Sequence, residues 1–174
     1  ASCLVSVGNI SRGEFAENIV VSGDYAYILA FEELIIIDVS EPSAPSSVSD
    51  LDLISSASGI DVSGDYAYVV GSGVLKVIDI SDPFEPNVVR NFTVGTAPTD
   101  ISVSENYAYV IDVVEDELKV INVIDPTAPS LSSTLAIGGS RNDLVVVEDY
   151  AYIIDEADTL KIVDVKNKTS PNLI

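Results

Sequence analysis

Carboxylates are the side chains of this sequence that could do chemistry, because the other usual catalytic and metal-binding residues are scarce. The 174 residues include 28 Asp and Glu, no His and a single Cys, Cys3. Without His, a Ser-His-Asp or Cys-His nucleophile and a His-ligated zinc site are excluded, and one Cys forms no internal disulfide. A pair of carboxylates, as in glycoside hydrolysis, is the catalytic arrangement that remains. With this many acids some pair lies near any point of the surface, so abundance alone indicates no enzyme.

One set of polar residues recurs at a fixed place. Asn18, Gly59, Asp100 and Asp143 each stand seven residues before a Tyr-Ala-Tyr tripeptide. If these positions met around a central axis, the oxygens of Asn18, Asp100 and Asp143 could hold a hard cation such as Ca²⁺. The alternative, which we favour, is a hydrated acidic surface without an ion. Apart from this candidate site, the sequence predicts no cofactor.

The large negative charge of the chain restricts the kinds of partner that it can bind. The formal net charge is −20, from 28 acidic and eight basic residues, whereas nucleic acid and anionic membranes select for Lys and Arg. No apolar run reaches the roughly 18 residues that a membrane span needs. We therefore expect protein partners, the chain itself among them, with no nucleic-acid binding and no membrane insertion.

Three sequons and the absence of Met from the sequence indicate where the protein is located. Asn9, Asn91 and Asn167 each begin an Asn-x-Ser/Thr sequon and are glycosylation candidates. The chain contains no Met, and removal of a secretory signal would leave an N-terminus such as Ala1. We expect an extracellular or cell-surface protein.

The elements that must position these residues come in four copies. Tyr-Ala-Tyr occurs at 25–27, 66–68, 107–109 and 150–152, at intervals of 41, 41 and 43 residues. Each unit contains four short, β-branched or alternating apolar runs, separated by Gly/Asp turns and by a Pro-containing turn, and nothing has helical periodicity. Four strands in a unit of this length are typical of a propeller blade. The sequence predicts one all-β propeller domain over 1–174, with repeats at about 17–53, 58–94, 99–137 and 142–174.

Two repeated features are predicted to be structural. The two Tyr of each tripeptide lie two residues apart and face the same side of a strand, so they are expected to fill the space between adjacent sheets. The third run of each unit ends in Asp38, Asp79, Asn122 or Asp164, directly before the Pro-containing turn. An oxygen acceptor at this point is expected to cap the N–H groups of the turn.

The chain resembles the LVIVD-repeat β-propellers of bacterial and archaeal surface proteins. The resemblance is carried by the Tyr-Ala-Tyr strand and the Leu-x-Val/Ile-Ile/Val-Asp/Asn-Val/Ile strand in all four repeats, and by the Asp-Pro-x-x-Pro turn, which is complete at 82–86 and 125–129. Asn122 and Lys168 depart from the pattern. The resemblance implies a propeller, usually of more than four blades, and no settled catalytic activity.

The two ends of the chain predict how the ring is completed. Leu4, Val5, Ser6 and Val7, within residues 3–10, match the fourth strand of a repeat, whereas the last repeat stops soon after its fourth strand begins. We expect the N-terminal strand to complete the last blade, pairing with residues 162–165. If the strand is given to a neighbouring subunit instead, the molecules assemble head to tail, as in a filament.

The sequence therefore predicts a non-catalytic extracellular scaffold for structure or interaction. If the terminal strand is given to a neighbouring subunit, this scaffold self-assembles. The alternative is a ligand-binding module for a cation, a glycan or a protein at the acidic channel mouth and loop face. A carboxylate-dependent hydrolase is a third, less favoured class.

Overall fold

The computed structural model describes residues 8–11, 16–30, 32–53, 56–138, 143–155 and 159–174. Its regular structure is entirely β, with no helix in these ranges. The strands are β1 (Ala16–Ser22), β2 (Tyr25–Ala30), β3 (Glu33–Asp38), β4 (Ser46–Asp52), β5 (Gly59–Ser63), β6 (Tyr66–Gly71), β7 (Val74–Asp79), β8 (Asn87–Thr93), β9 (Pro98–Ser104), β10 (Tyr107–Asp112), β11 (Glu117–Asn122), β12 (Ser130–Ala136), β13 (Asp143–Val147), β14 (Tyr150–Ile154), β15 (Leu160–Asp164) and β16 (Asn172–Leu173).

Each repeat forms one four-stranded antiparallel sheet in chain order, as the sequence predicts. Sheet 1 is β1–β4, sheet 2 is β5–β8, sheet 3 is β9–β12 and sheet 4 is β13–β16. In sheet 4 the outer strand is short, because β16 pairs only Asn172 and Leu173 with Asp164 and Val163 of β15. The last repeat therefore has the beginning of its own outer strand.

A two-residue turn joins the first two strands of each sheet. Its first residue has positive φ in every copy: Gly23 (57°), Gly64 (58°), Glu105 (56°) and Glu148 (54°). Glycine adopts this conformation without steric cost, whereas an L-residue with a side chain is strained there. At this turn, sheets 3 and 4 therefore carry a local strain that sheets 1 and 2 avoid.

Each sheet has two different faces. In β2, Tyr25, Tyr27 and Leu29 alternate with Ala26 and Ile28, so the tyrosines lie on one face and the central alanine on the other. We call these the Tyr face and the Ala face, and the register repeats in sheets 2, 3 and 4.

Three apolar cores lie between successive sheets, each formed by the Tyr face of one sheet and the Ala face of the next. Tyr27 lies in the core between sheets 1 and 2, Tyr68 between sheets 2 and 3, and Tyr109 between sheets 3 and 4. All three rings are buried, which confirms the predicted role of these tyrosines. Lys168 of sheet 4 lies 5.8 Å from the ring centres of both Tyr107 and Tyr109. The burial of apolar side chains in these three cores is the main force that holds the four sheets together.

The acceptor at the end of the third strand caps the turn in every repeat. The distances from these Oδ1 atoms to the backbone nitrogen two residues later are 2.8 Å for Asp38, 2.9 Å for Asp79, 2.9 Å for Asn122 and 3.0 Å for Asp164. This confirms the predicted capping, and Asn122 does the same work as the three Asp residues.

The predicted N-terminal strand, Leu4, Val5, Ser6 and Val7, lies outside the described residues, so its pairing with 162–165 stays a prediction. Among the residues that follow it, Gly8 lies against the turn of sheet 1, where an added Cβ would come within 2.2 Å of the Pro42 carbonyl oxygen. The described part of the chain contains no helix long and apolar enough to cross a membrane.

Candidate functional site

Polar side chains of the first strands link neighbouring sheets. Asp61 of β5 accepts the N–H of Val103 in β9 at 2.6 Å. One sheet further, Asp100 of β9 accepts the N–H of Leu144 in β13 at 2.7 Å. Ser102 Oγ accepts the N–H of Val146 at 3.1 Å. These three side chains accept backbone N–H groups that have no ladder partner in the neighbouring sheet, which is a structural task.

Asp100 and Asp143 form a close carboxyl pair on this edge. Burial raises the pKa of Asp100 to about 7; backbone N–H groups of Leu144 and Ile101 oppose the rise, and the charge of Asp143 and its hydrogen bond with Asp100 add to it. On the other side, Gly59 leaves room for the pair, because a Cβ there would lie 3.1 Å from Asp100 Oδ1.

The four residues predicted to surround the channel mouth occupy equivalent places. Asn18, Gly59, Asp100 and Asp143 pair with Leu29, Val70, Ile111 and Ile154 of the second strands. Asn18 Oδ1 accepts the N–H of Ile19 at 2.7 Å, and both Asp100 oxygens accept backbone N–H groups. Among the described residues, no group of three or more Asp, Glu, His or Cys is arranged to hold a metal. The Ca²⁺ site at Asn18, Asp100 and Asp143 stays a prediction.

Another carboxylate, that of Asp112, is fully buried at the end of β10. Its oxygens accept four backbone N–H groups, from Thr96, Ala97, Val114 and Glu115, at 2.6–3.1 Å. Burial alone would raise the pKa of Asp112, but these hydrogen bonds hold it below its ordinary value. Asp112 therefore fixes the loops at this end of sheet 3 and has no free oxygen directed to a ligand.

The Tyr face of sheet 4 is the largest departure from the repeat. In sheets 1 to 3 the leucine that begins the LVIVD strand is 0% exposed (Leu34, Leu75, Leu118), whereas Leu160 is 57% exposed. At the end of the Tyr-Ala-Tyr strand, Leu29, Val70 and Ile111 are 0% exposed and Ile154 is 52% exposed. Side chains of the same type are exposed only here because no further sheet packs on this face in the part of the chain that the structure describes.

One pocket lies on this exposed face, and a second depression lies at the adjoining edge of sheet 4. A pocket of about 200 Å³ is lined by Asp143, Leu144, Val145, Tyr152, Ile154 and Leu160. A second depression of about 350 Å³ is lined by Thr159, Leu160, Lys161, Ile162, Leu173 and Ile174, where β16 is short. Val145 and Val147 are also more than half exposed. Such an apolar patch is typical of a protein interaction surface.

The three sequon asparagines are all exposed: Asn9, Asn91 and Asn167. Asn91 Oδ1 accepts a hydrogen bond from Lys76 Nζ, and Asn167 Oδ1 accepts from Thr169. Their positions leave room for a glycan, and glycosylation itself stays a prediction.

The apolar face of sheet 4 was not found from the sequence. Its residues repeat those of the buried faces, so composition and spacing gave no signal.

Solved propeller structures resemble this chain over about half of their own length. The periplasmic gluconolactonase PpgL of Pseudomonas aeruginosa matches 92% of the chain with 53% of its own, at 10% identity and a TM-score of 0.77. The computationally designed Ika8 protein matches 91% with 48% of its own, at 13% identity and a TM-score of 0.72. The β-propeller domain of Cps50 (Swd1) from Myceliophteria thermophila matches 87% with 54% of its own, at 15% identity and a TM-score of 0.66. At these identities the likeness shows the fold alone.

Sequence comparisons give the family. None of the curated proteins with which the chain was compared matches it. The family model of the LVIVD repeat matches residues 13–52, 55–94, 95–136 and 138–174, which agrees with the repeats seen as sheets. The chain thus belongs to the LVIVD-repeat family and has the β-propeller fold.

Proposed function

We propose that the chain is a non-catalytic interaction scaffold, and that its binding surface is the Tyr face of sheet 4. The observation that carries the proposal is the exposure of Leu160 and Ile154, at positions that are completely buried in the other three sheets. A surface with the composition of a sheet interface favours a partner with an apolar, sheet-like face.

A non-catalytic role is supported by the hydrogen bonds of the acidic side chains, which are made to the backbone. The carboxyl oxygens of Asp61, Asp100 and Asp112 each accept backbone N–H groups, so they hold strands and loops in place. The chain has no His to act as a general base near neutral pH. The likeness to a gluconolactonase, at 10% identity, concerns the fold and transfers no activity.

An extracellular or cell-surface location is part of the proposal. It is supported by the three sequons, whose asparagines are all exposed. The location is tested by treating intact cells of the natural host with a membrane-impermeant amine reagent. We expect Lys76 and Lys166 to be labelled; labelling only after lysis would contradict the location.

The scaffold role is tested by photo-crosslinking in the natural host. A benzoylphenylalanine replaces Leu160, and the matched control replaces Val114, which is 63% exposed and lies outside this face. We expect a covalent protein adduct of defined mass from position 160 and none from position 114. Absence of an adduct at 160, or equal adducts at both positions, would overturn the proposal.

A further inference from the structure

The outer strand of sheet 3, β12, has an open edge that its own side chains do not protect. We propose that this edge binds an extended basic segment of another protein, which adds to sheet 3 as a further strand. The edge is separate from the Tyr face of sheet 4, so the inference goes beyond the proposed function. Neighbouring sheets pack face to face and leave this outer edge open, whatever covers the faces of the row.

The backbone of β12 offers hydrogen-bonding groups to an added strand. β12 pairs with β11 on one side only. The N–H of Ile137 donates to the carbonyl of Asp116 at 2.9 Å, so the polar groups of Ile137 face β11. Because this direction alternates along an antiparallel strand, the N–H and C=O groups of Thr134 and Ala136 point away from β11. Such unpaired groups are a template for a strand of another chain.

The equivalent edges of sheets 1 and 2 are better protected. At the positions of Thr134 and Ala136, β4 has Asp50 and Asp52. At the position of Thr134, β8 has the sequon residue Asn91, where a glycan would cover the edge. All three strands contain the same bulge, so their side chains make the difference. β12 reads Ser-Leu-Ser-Ser-Thr-Leu-Ala and has none of the charges or prolines that usually block an edge.

β12 is held in place without a partner. Ser133 Oγ donates to the carbonyl oxygen of Lys168, in the turn of sheet 4, at 2.7 Å. Leu135 packs against the core between sheets 3 and 4. Leu131 is 52% exposed and offers an apolar contact beside the edge. An edge that is already ordered loses little conformational freedom on binding, which favours affinity.

The charges at one end of β12 favour a basic occupant. Ala136 pairs with Glu117 of β11, and Glu115 and Asp116 precede Glu117 and are exposed. The neighbouring cation, Lys119, is already paired with Glu115 and Glu117. Lys or Arg at the N-terminal end of an antiparallel segment would lie beside these acids, and the attraction would direct the segment to this edge.

A second copy of the chain fits the edge less well than a basic segment does. Two chains of net charge −20 repel each other. β12 also supplies only seven residues, whereas a stable interface between two folded proteins has roughly 20–30 residues on each side. An extended basic segment meets attraction instead of repulsion, and it obtains its hydrogen bonds from the backbone.

The test is an NMR titration of the isotope-labelled chain with the peptide Lys-Lys-Val-Thr-Val-Thr-Val-Thr. We expect the amide signals of Thr134 and Ala136 to shift, and their exchange with solvent to slow by at least about tenfold at saturation, because both amides become hydrogen-bonded. The equivalent amides of Asn91 and Thr93 in β8 are expected to change little. Unchanged signals of Thr134 and Ala136 at millimolar peptide would overturn the proposal.

Two further peptides separate strand pairing from attraction by charge. The same sequence with N-methylated Val and Thr keeps both lysines but donates no hydrogen bonds from these residues, and we expect it not to bind. Equal binding of this peptide would overturn the added strand. A peptide with Glu in place of both Lys is expected to bind at least about tenfold more weakly, and equal binding would overturn the basic occupant.

A variant of the edge completes the test. Thr134→Pro removes an N–H that points away from β11 and leaves the ladder intact, so we expect the fold to be kept and the binding to be lost. The matched control is Asn91→Pro, at the equivalent position of β8, which is expected to bind as the unchanged chain does. Unchanged binding by a folded Thr134→Pro would overturn the site, and the N-methylated peptide keeps the proposal testable if this variant does not fold. The shifts are read at β12 and the crosslink at position 160, so each proposal can fail without the other.

Discussion

The Asp100 carboxylate accepts the backbone N–H of Leu144 at 2.7 Å, across the boundary between sheets 3 and 4. Asp61 and Val103 make the same contact across the boundary between sheets 2 and 3. Sheets 2, 3 and 4 are therefore joined at their inner strands by hydrogen bonds to carboxyl groups as well as by apolar cores. A buried acid in this role makes the stability of the protein depend on its protonation.

The first prediction concerns pH. The pKa of Asp100 is raised from 3.8 to about 7 in the folded protein, so between these pH values the folded state binds more protons than the unfolded state. The free energy of unfolding is therefore expected to increase as the pH falls from about 7 towards 4, by at most about 1.4 kcal/mol per pH unit for one group. Asp100→Asn removes this dependence, as measured by urea unfolding at pH 8, 7, 6 and 5.

The control for Asp100→Asn is Asp65→Asn, at an exposed turn position. Lowering the pH also relieves the repulsion among all the acids, and both variants retain this general effect. We expect the steeper dependence in the unchanged chain and in Asp65→Asn. Equal slopes in all three proteins would contradict the role of Asp100.

The second prediction concerns Asp112. Asp112→Ala leaves four N–H groups without an acceptor, and we expect the free energy of unfolding to fall by about 3 kcal/mol, or the melting temperature by about 6–12 °C. Asp112→Asn keeps one acceptor oxygen and is expected to lose less. Gly95→Ala tests the same site from the opposite side, because an added Cβ would lie 2.0 Å from Asp112 Oδ2. A change below 1 °C in Asp112→Ala would be incompatible with the four hydrogen bonds.

The third prediction concerns the hairpin turns. Glu105 has a φ of 56°, a conformation that destabilises the folded state by about 1–2 kcal/mol for an L-residue with a side chain. Gly avoids this strain, but its greater freedom in the unfolded chain offsets part of the gain in stability. Glu105→Gly is expected to raise the free energy of unfolding by up to about 1 kcal/mol. In the reverse exchange, Gly64→Gln adds no charge, and nothing within 4 Å obstructs the added Cβ. The loss of stability then measures the backbone strain, less the gain from a stiffer unfolded chain.

Glu105→Gln controls for the charge that is removed with Glu105. It keeps a side chain at positive φ and neutralises the same charge in a chain of net charge −20. Stabilisation by Gln equal to that by Gly would assign the effect to charge and contradict the strain.

The fold follows from local signals that repeat. Tyr27, Tyr68 and Tyr109 are buried between sheets because a Tyr pair at the same register of every repeat must meet the next repeat in the same way. Asp79 caps its turn because the acceptor and the N–H of Ser81 are two residues apart in the sequence. Both interactions are readable without a structure.

The hydrogen bonds between sheets could not be predicted from the sequence. Asp61 and Val103 are 42 residues apart, and no pattern indicates that a strand side chain bonds the backbone of the next sheet. The sequence offers one hint of this bond, which is the acidic residue Asp61 within an otherwise apolar strand. Leu160 and Leu118 have the same sequence environment, but one is exposed and the other is buried. Burial depends on the presence of a following sheet, and this is not a local property.

The last prediction concerns Ca²⁺ at Asn18, Asp100 and Asp143. Both Asp100 oxygens and the Asn18 oxygen accept backbone N–H groups, and a cation would have to displace these hydrogen bonds to obtain its six to eight oxygen ligands. We expect 5 mM Ca²⁺ and 5 mM Mg²⁺ to raise the melting temperature equally, by screening the net charge of −20. A larger shift with Ca²⁺ that Asp143→Asn removes, and that Asp65→Asn retains, would instead establish the cation site. Asp143 is the informative position because it is exposed, and Asp143→Asn changes a candidate ligand while it keeps a side chain that can hydrogen-bond to Asp100.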